Sequence, residues 1–523
     1  MYSDVKTKLA DLVEKNLAQY LSDSLVGIEK ESLRVNSDAN IAQTPHPVVL
    51  GSALTNPIVT TDYSEALIEF ITPPLDSINK SLQYIEDLHK FVYKRLDNEM
   101  LWATSMPCVV KGESNIPVAQ YGSSNSGKMK TIYREGLGHR YGKTMQIIAG
   151  VHFNYSFSEA LWDGLYEHSE KIIDKQSFIN EQYFSLIRNL LRIGWMIPYL
   201  FGASPAACKS FFGNAESELE SFDENTYYKP YATSLRMSDI GYQNNKENEK
   251  GIKASYNNID EYVNNLQAAI KTPCPEYKKI GVKVGNEYRQ LNANILQIEN
   301  EYYSTVRPKQ IVQENEKSID ALQKRGVKYI ELRSIDINAF DPFGINQEQL
   351  HFLEVLMLFC LLTDSPDIDI KENKDIDENE MISALYGRKP DVVLTRKGEK
   401  VSLNSWAKEI FEALVPISEI LDQVNNTKSY TSSVKNIFTI VDAPDLSPSA
   451  RMLKNMEENG EGFHYFAKRM SIQHNNYFQK LVLANDKNDE FERIVKESIK
   501  RQLEIESKQN ISFDDFLNAY FEN

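Results

Sequence analysis

Four segments of the chain alternate apolar and polar residues, which is the pattern of a β-strand with one buried face. These segments cover residues 25–35, 67–71, 147–157 and 329–335. In each of them the polar positions include a carboxylate or a histidine. The pattern therefore predicts a sheet with one apolar face and one face that carries ionisable groups.

Elsewhere, apolar residues return every three to four positions, which predicts amphipathic helices. The expected helices cover residues 1–20, a stretch that begins near Asp76 or Ser77, residues 178–193 and residues 349–362. The second helix starts after Pro73-Pro74, because proline cannot continue a preceding helix. The segment 349–362 is apolar enough to be a buried helix.

Polar stretches predict the connections between these elements. Residues 243–250, 310–317 and 364–380 are expected to be connectors, and the last of them is expected to be a solvated boundary or surface insertion. After Pro390 the pattern is helical and charged. We therefore expect an α+β protein with a catalytic region over residues 1–345, which carries the metal and substrate sites, and a mostly helical region over residues 346–523 packed on it.

Composition narrows the classes of function. With 41% hydrophobic and 25% charged residues, the chain is typical of a folded soluble protein. Its 58 Lys and Arg against 74 Asp and Glu give a net charge of -16, which argues against a nucleic-acid binder. An anionic substrate stays compatible with this charge where divalent metal ions mediate the contact.

Cysteines and apolar runs exclude further classes. The four cysteines lie tens of residues apart, without a C-x-x-C pair for zinc or redox chemistry. The longest uncharged stretch, residues 193–208, is interrupted by glycine and proline, and a membrane span takes about 20 apolar residues. The first residues mix charges and lack the apolar core of a signal peptide. We expect a cytoplasmic protein without a membrane or nucleic-acid partner.

Carboxylates on the predicted sheet indicate a metal site. Glu29 and Glu31 project from the same face about 7 Å apart, and Glu69 interrupts a second apolar strand. A solvent-facing polar side explains any one strand, but four such strands can also form one acidic concave face. Carboxylates in such a cluster repel one another unless cations lie between them, and Mg²⁺ suits such a face and also binds substrate phosphates. Asp62 can add another oxygen ligand from a loop end.

Three arginines are candidates for binding a carboxylate or a phosphate, because the planar guanidinium can donate two parallel hydrogen bonds. They are Arg134, Arg236 and Arg333, and the last shares a strand face with Glu331. For any one of them, a structural ion pair is the more common role. Tyrosines accompany these arginines in sequence, namely Tyr133, Tyr242, Tyr302 and Tyr303.

Several longer motifs follow one another between about residues 20 and 345. They include Gly27-Ile-Glu-Lys-Glu-Ser-Leu-Arg34, Thr61-Asp-Tyr-Ser-Glu-Ala-Leu-Ile-Glu-Phe-Ile-Thr-Pro73, Gly150-Val-His-Phe-Asn154, Tyr231-Ala-Thr-Ser-Leu-Arg236, Leu296-Gln-Ile-Glu-Asn-Glu301 and Tyr329-Ile-Glu-Leu-Arg-Ser-Ile-Asp-Ile-Asn338. In this order they resemble the glutamate–cysteine ligase family of the proteobacterial type. Several long motifs in sequence are more specific than any single one.

The resemblance implies a glutamine-synthetase-like fold, with a mainly antiparallel catalytic sheet and surrounding helices. It implies that ATP phosphorylates the γ-carboxylate of L-glutamate and that the α-amino group of L-cysteine attacks the γ-glutamyl phosphate. The products would be γ-glutamylcysteine, ADP and phosphate, in the first step of glutathione biosynthesis. Mg²⁺ is the implied metal, with Mn²⁺ as an alternative, and feedback inhibition by glutathione is a further expectation.

The resemblance also implies roles for individual residues. The metal ligands would be Glu29, Glu31, Asp62, Glu69, His152 and Glu331. Arg333 would lie near the transferred phosphate and Arg236 would hold a substrate carboxylate. The cysteine pocket would be lined by Tyr63, Tyr133, Leu137, Gln146, Tyr242 and Tyr303, with Ile148 and Arg134 near the substrates. Tyr63 departs from the family pattern, in which phenylalanine is expected, and its hydroxyl can change the polarity of that pocket.

Other functions stay open at this point. A ligase that joins glutamate to another amine would share the acidic face and differ in the tyrosine-lined pocket. A metal-dependent phosphohydrolase would release phosphate from ATP without any amine acceptor. An inactive nucleotide-sensing protein would have substituted metal ligands, and none of the six is replaced.

Overall fold

The computed structural model describes residues 2–213, 217–241, 253–313 and 316–522. Strands β1 to β14 cover Leu25–Asn36, Val59–Thr61, Leu67–Ile71, Glu99–Leu101, Val151–Ser156, Ala206–Cys208, Glu220–Ser221, Thr226–Tyr228, Lys283–Val284, Glu287–Tyr288, Val306–Lys309, Tyr329–Ile335, Val393–Arg396 and Glu399–Ser402. Helices α1 to α17 cover Ser3–Glu14, Ile78–Tyr93, Asn125–Tyr141, Glu159–Glu167, Lys175–Ile193, Met196–Phe201, Ile259–Lys271, Pro275–Ile280, Ser318–Arg325, Gln347–Leu362, Ile370–Tyr386, Leu403–Asn425, Ser429–Asp442, Pro448–Asn459, Phe463–Lys480, Asn485–Ser507 and Phe513–Glu522.

The four predicted strands join three others in a seven-stranded antiparallel sheet within the described part of the chain. Its order is β11-β12-β5-β1-β3-β2, and β4 pairs with the end of β1. Glu29 of β1 lies opposite His152 of β5, and Glu31 lies opposite Glu69 of β3. Residues in register on neighbouring strands point to the same face, so these groups converge on one side of the sheet. The predicted α+β class with a mainly antiparallel sheet is confirmed.

The other face of the sheet is mainly apolar and packs on helices, although β1 also places Lys30 there, 2.9 Å from Nε2 of His89 on α2. Phe153 and Ile330 are fully buried there, and the hydroxyl of Tyr155 donates to Oε1 of Glu354 on α10 at 3.2 Å. Helix α10 begins with a capping box, in which the side chain of Asn346 accepts from the backbone N–H of Gln349. The expectation of a buried helix over residues 349–362 is confirmed.

The third predicted strand is shorter than its alternating pattern. Residues 145–147 form a single 3-10 turn, and the backbone N–H of Ala149 donates to the carbonyl of Ser105 at 3.0 Å. Strand β5 therefore begins at Val151 and not at residue 147. The residues of this turn and those up to Val151 are mostly buried and apolar, like those of a buried strand. Periodicity in the sequence cannot distinguish such a turn from a strand.

The predicted helices form with shifted ends. Helix α1 ends at Glu14, and α5 begins at Lys175 because the Asp174 side chain accepts from the N–H of Ser177 at 3.0 Å. Helix α2 begins at Ile78, and the side chain of Ser77 accepts from the N–H of Lys80 as predicted for a helix start. Helix ends depend on these local caps, which apolar periodicity does not report.

The interpretation of residues 364–380 as a solvated connector is wrong for most of its length. Helix α11 occupies Ile370–Tyr386, and the side chain of Asp369 caps its start. Most residues of this helix are half-buried or buried. Among them, Asn379 is buried, and its amide exchanges two hydrogen bonds with the backbone of Thr395. These bonds anchor helix α11 on the hairpin of β13 and β14. The sequence pattern beyond Pro390 predicted helices and did not indicate this hairpin. Residues 243–250 lie outside the described residues.

The apolar core extends across the predicted boundary at residue 345. One buried cluster contains side chains from β1, from α10 and from the carboxyl-terminal helices. Ser498 of α16 accepts from the backbone N–H of Ser52 at 3.1 Å, so the end of the chain returns to its beginning. The division into regions 1–345 and 346–523 stays a prediction. Among the described residues, no helix combines the length and apolarity needed to cross a membrane.

Candidate active site

A cavity of about 390 Å³ opens on the polar face of the sheet. It is lined by Glu29, Asp62, Tyr63, Glu69, Tyr133, Arg134, Leu137, Tyr141, Met145, Gln146, His152, Gly241, Asn300, Glu301, Tyr303, Arg307, Lys309, Glu331 and Arg333. Carboxylates line one part of it and cationic side chains another. Such a division of charge suits a ligand that carries both phosphates and metal ions.

A histidine lies at the centre of the carboxylates. Nδ1 of His152 is 3.0 Å from Oε2 of Glu29 and 3.4 Å from Oε1 of Glu331. Its Nε2 lies 3.7 Å from Oε1 of Glu31, whose other oxygen accepts from the backbone N–H of Gly150 at 2.7 Å. The three groups Glu29, His152 and Glu331 each offer a ligand atom, and these atoms lie within 4.8 Å of one another.

Glu331 also contacts two cations. Its Oε1 is 3.1 Å from Nη1 of Arg333, and its Oε2 is 3.2 Å from Nζ of Lys309. Burial raises the pKa of this carboxyl, but Lys309 and Arg333 hold it well below its usual value. In turn, Glu331 raises the pKa of Arg333 against the effect of burial. This part of the site therefore keeps its charges at neutral pH.

The loop that carries Asp62 is fixed by its backbone. The hydroxyl of Tyr121 donates to the carbonyls of Thr61 and Asp62, at 2.8 and 2.9 Å. Nε of Arg134 donates to the same carbonyl of Asp62, and its guanidinium stacks on Tyr121 at 4.6 Å. With its backbone held, the loop presents the Asp62 carboxylate to the cavity.

Helix α3 forms a further wall of the cavity. Tyr133, Leu137 and Tyr141 are spaced by four residues and line the cavity from one face of this helix. The helix approaches its neighbours closely because Gly138 has no side chain, since a Cβ there would lie 2.5 Å from the hydroxyl of Tyr63. At Gly136 a Cβ would meet the side chain of Gln297. These two glycines lower helix propensity, and the sequence had not indicated a helix here.

The donors present fit a divalent metal ion. Burial raises the pKa of Glu69 well above its usual value, and the neighbouring Glu29 and Asp62 raise it further. Burial also raises the pKa of Glu29, but the hydrogen bond with His152, together with the charges of His152 and Lys309, leaves it below its usual value. Buried carboxylates in such close proximity are stabilised when a cation lies among them. Oxygen ligands with one imidazole are compatible with Mg²⁺ or Mn²⁺.

Most of the residues that the sequence singled out meet in this cavity. Of the described residues with a predicted role, Glu31, Ile148 and Arg236 do not line it. Glu31 contacts His152 from the side, and Ile148 is buried in the apolar core. Arg236 is buried behind the cavity, and its Nη2 donates to the carbonyl of Arg333 at 2.7 Å. Tyr242 lies outside the described residues.

Sequence reasoning missed several residues of the cavity wall. They are Tyr141, Met145, Gly241, Asn300, Glu301, Arg307 and Lys309. Arg307 and Lys309 alternate with the buried Val306 and Pro308 on β11, and this period of two could have indicated them. Glu301 forms a fully buried ion pair with Arg140 at 2.8 Å, which no local pattern reveals.

Comparisons with known proteins identify the family of the chain. The model of the glutamate–cysteine ligase family matches residues 9–382. The glutamate–cysteine ligase of Alcanivorax borkumensis is 45% identical over 522 residues, which are 99% of each chain. That of Pseudomonas aeruginosa is 43% identical over 520 residues, which are 98% of each chain.

Solved structures show the same similarity. The crystal structure of a glutamate–cysteine ligase from Francisella tularensis in complex with AMP matches with a TM-score of 0.89 at 34% identity, and covers 96% of this chain and 98% of that one. A bifunctional glutathione synthetase from Pasteurella multocida matches with a TM-score of 0.72 at 23% identity over 93% of this chain and 58% of that one, which shows a shared fold.

The fold and these matches place the chain among the ATP-dependent ligases. The chain belongs to the glutamate–cysteine ligase family. Its activity is the ATP-dependent joining of L-glutamate and L-cysteine to γ-glutamylcysteine in glutathione biosynthesis, as the resemblance implied. The glutamine-synthetase-like fold class is likewise confirmed.

Proposed function

We propose that the cavity on the polar face of the sheet is where the γ-carboxylate of L-glutamate is activated by ATP and where L-cysteine then attacks it. The observation that carries this proposal is the convergence of Glu29, His152 and Glu331, whose ligand atoms lie within 4.8 Å of one another. These residues come from three neighbouring strands, and a purely structural role would not require them to share one cavity.

In this proposal Mg²⁺, or Mn²⁺ in its place, is held by Glu29, Glu31, Asp62, Glu69, His152 and Glu331. When bound, the metal neutralises charge on the phosphates of ATP. The Asn154 amide donates to Oε1 of Glu29 at 2.8 Å, which orients this carboxylate. The backbone N–H of Gly150 orients Glu31 in the same way.

Arg333 is proposed to stabilise charge on the transferred phosphoryl group. Its guanidinium is fixed by Glu331, and its buried Nε has no hydrogen-bond partner among the described residues. A preorganised donor of this kind acts where charge develops during transfer. The phosphoryl group passes from ATP to a γ-carboxylate oxygen of glutamate, and the amine of cysteine later displaces phosphate from the acyl carbon.

The pocket for cysteine is proposed to lie between the loop of Tyr63 and helix α3. Tyr63, Tyr133, Leu137, Gln146 and Tyr303 line the cavity here, and Arg134 and Ile148 support it. The aromatic rings exclude water from the acyl phosphate, which water would otherwise hydrolyse. Tyr242 is proposed for the same pocket on the resemblance alone.

Arg236 is proposed to hold a substrate carboxylate, on the resemblance and on its position beside Gly150 and Arg333. Its Nη1 lies 3.6 Å from Oδ1 of the buried Asp336, so its own charge is partly balanced. Feedback inhibition by glutathione and a cytoplasmic location stay predictions from the sequence.

The test is ADP release by the purified chain with L-glutamate, measured with and without L-cysteine over a Mg²⁺ titration. We expect release that requires both amino acids and the metal, with γ-glutamylcysteine identified by mass spectrometry. Equal release without any amine would indicate a phosphohydrolase. Faster release with another amine than with cysteine would indicate a ligase of different specificity.

A matched pair of variants tests the metal site. In Glu29→Gln we expect the Mg²⁺ concentration for half-maximal activity to rise by about tenfold or more, because second-shell changes already cost about 10–100-fold. Glu497→Gln, in a surface ion pair with Arg493, should leave it unchanged. An unchanged Mg²⁺ requirement in Glu29→Gln would contradict the proposed ligand.

A further inference from the structure

The edge strand β11 brings two cations to the cavity. Arg307 and Lys309 both line it, and they alternate with Val306 and Pro308, which are buried. Arg307 is in register with Glu331 of β12. The side chain of Arg307 is partly committed to the backbone, because its Nη2 donates to the carbonyls of Asn300 and Tyr302. Lys309 has no such backbone contact among the described residues.

Two cations share the carboxylate of Glu331. It contacts Lys309 through one oxygen and Arg333 through the other. In addition, the buried Nε of Arg333 lacks a hydrogen-bond partner among the described residues. When a metal ion binds Glu331, both cations lose this shared partner, and an anion that enters the cavity finds their donors next to the metal.

The position of Lys309 distinguishes between the anionic ligands. Sheet order places β11 four strands away from β3, which corresponds to about 19 Å at the usual strand spacing. The loop of Asp62 and Tyr63, next to the proposed cysteine pocket, borders β3. We therefore expect an anion near Lys309 to be the phosphate chain of the nucleotide rather than the carboxylate of the amine substrate.

A simpler role for Lys309 is to neutralise Glu331. Its Nζ lies 3.2 Å from Oε2 of Glu331, which fits such a role. However, Arg333 alone already provides Glu331 with a cation at 3.1 Å. The side chain of Lys309 is 32% exposed and lines the cavity in which the nucleotide is proposed to bind. A neutralising role does not explain this position.

We propose that Lys309 is a phosphate-binding residue of this site, which contacts the terminal phosphates of ATP and ADP beside Arg333. This inference rests on the proposed function. When a metal ion takes over Glu331, the ammonium of Lys309 is free to hydrogen-bond to phosphate oxygens, as a lysine does in other nucleotide sites.

The experiment measures binding of Mg·ADP to the full chain by calorimetry in Lys309→Met, Lys309→Arg and Lys328→Met. Methionine keeps the aliphatic stem and removes the charge. Lys328 is the matched control, because it is an exposed lysine next to β12 whose amine contacts Glu159. The melting temperature and the KM for L-glutamate are measured alongside.

For Lys309→Met we expect the Kd for Mg·ADP to rise by about tenfold or more, as for the loss of one hydrogen bond to a charged group. The melting temperature and the KM for glutamate should stay close to those of the wild type, Lys309→Arg should restore most of the affinity, and Lys328→Met should bind normally. Mg·ADP affinity within twofold of the wild type in Lys309→Met would overturn the inference. The inference would also be overturned if Lys309→Met lost stability, glutamate binding and nucleotide binding together and Lys309→Arg did not restore them.

If Lys309→Met fails to fold, acetylation of the wild-type lysines is followed by mass spectrometry instead. Mg·ADP should protect Lys309 and not Lys328, and equal rates with and without Mg·ADP would overturn the inference. A wild-type chain that binds Mg·ADP but forms no γ-glutamylcysteine would defeat the proposed function, while the role of Lys309 would still be decided by these two measurements.

Discussion

The guanidinium of Arg236 occupies the space that a side chain at Gly150 would fill. A Cβ at position 150 would lie 2.2 Å from Nη2 of Arg236, the same atom that donates to the carbonyl of Arg333. The backbone N–H of Gly150 also donates to Glu31. A residue without a side chain thus connects an arginine, a proposed metal ligand and the strand that carries Arg333.

We expect Gly150→Ala to fold and to lose activity. The added methyl displaces Arg236, which is the flexible end of a side chain, so the fold can adjust while the site cannot. The KM for glutamate or cysteine should rise by about tenfold, as for one lost charged hydrogen bond. Steady-state kinetics and a melting curve check this. Gly27→Ala is the control, because a Cβ there meets its nearest atom at 3.4 Å; equal activity in both variants would contradict the argument.

Arg333→Ala is expected to spare folding and to reduce kcat by about 10²–10³, the usual effect of removing one preorganised donor. Glu331 keeps its contacts with Lys309 and His152, so the core loses little. Turnover and thermal unfolding are measured in parallel with Arg325→Ala, which removes a surface ion pair to Glu316. Unchanged formation of γ-glutamylcysteine in Arg333→Ala would refute the role.

Tyr63→Phe is expected to increase stability. The hydroxyl of Tyr63 is buried and has no hydrogen-bond partner among the described residues, and an unsatisfied buried hydroxyl costs about 1 kcal/mol or more. Tyr121→Phe is the opposite case, because its hydroxyl donates to two backbone carbonyls. Chemical denaturation should show a gain of about 1 kcal/mol for the first and a similar loss for the second. A loss in both would show that the Tyr63 hydroxyl has a partner.

Glu354 should make stability depend on pH. It is buried, it accepts hydrogen bonds from Tyr155 and Tyr430, and burial raises its pKa from 4.5 to about 7. Because the folded pKa exceeds the unfolded one, its stabilising contribution is full below pH 4.5 and is lost as the pH rises through 7. The loss corresponds to about 3 kcal/mol.

Glu354→Gln removes this titration and keeps an acceptor for the tyrosines. Urea denaturation at pH 4 and pH 8 should show that the wild type loses about 3 kcal/mol relative to the variant between these values. Parallel pH profiles for the two proteins would contradict the raised pKa. The surface variant Glu497→Gln should follow the wild type.

Alternation along the chain was sufficient to predict the strands that carry the site. In β1, β3 and β12 the carboxylates lie two positions from residues on the same face and next to apolar residues such as Ile28, Phe70 and Ile330 on the opposite face, so a period of two separates the two sets. Glu29, Glu31, Glu69, His152 and Glu331 could therefore be assigned to polar faces before any pairing was known. The motifs and their order indicated the family, because several long matches in the same order rarely arise by coincidence.

Other parts of the site were not accessible to this reasoning. Helix α3 contains Gly136 and Gly138, which lower helix propensity, and it forms because Gln297 and Tyr63 pack against the space that the glycines leave. Arg307 and Lys309 alternate with buried residues on a four-residue strand, which can indicate that they share a face, but only strand pairing brings that face to Glu331.

The sequence by itself determined which strands carry ionisable side chains on one face, which segments are apolar and which family the motifs resemble, because these properties are local. Tertiary structure decided that His152 lies between Glu29 and Glu331 and that Arg236 packs on Gly150. Distances of this kind depend on strand register and on contacts between residues more than eighty positions apart. No local pattern specifies them, because the free energy that selects them comes from packing the whole chain.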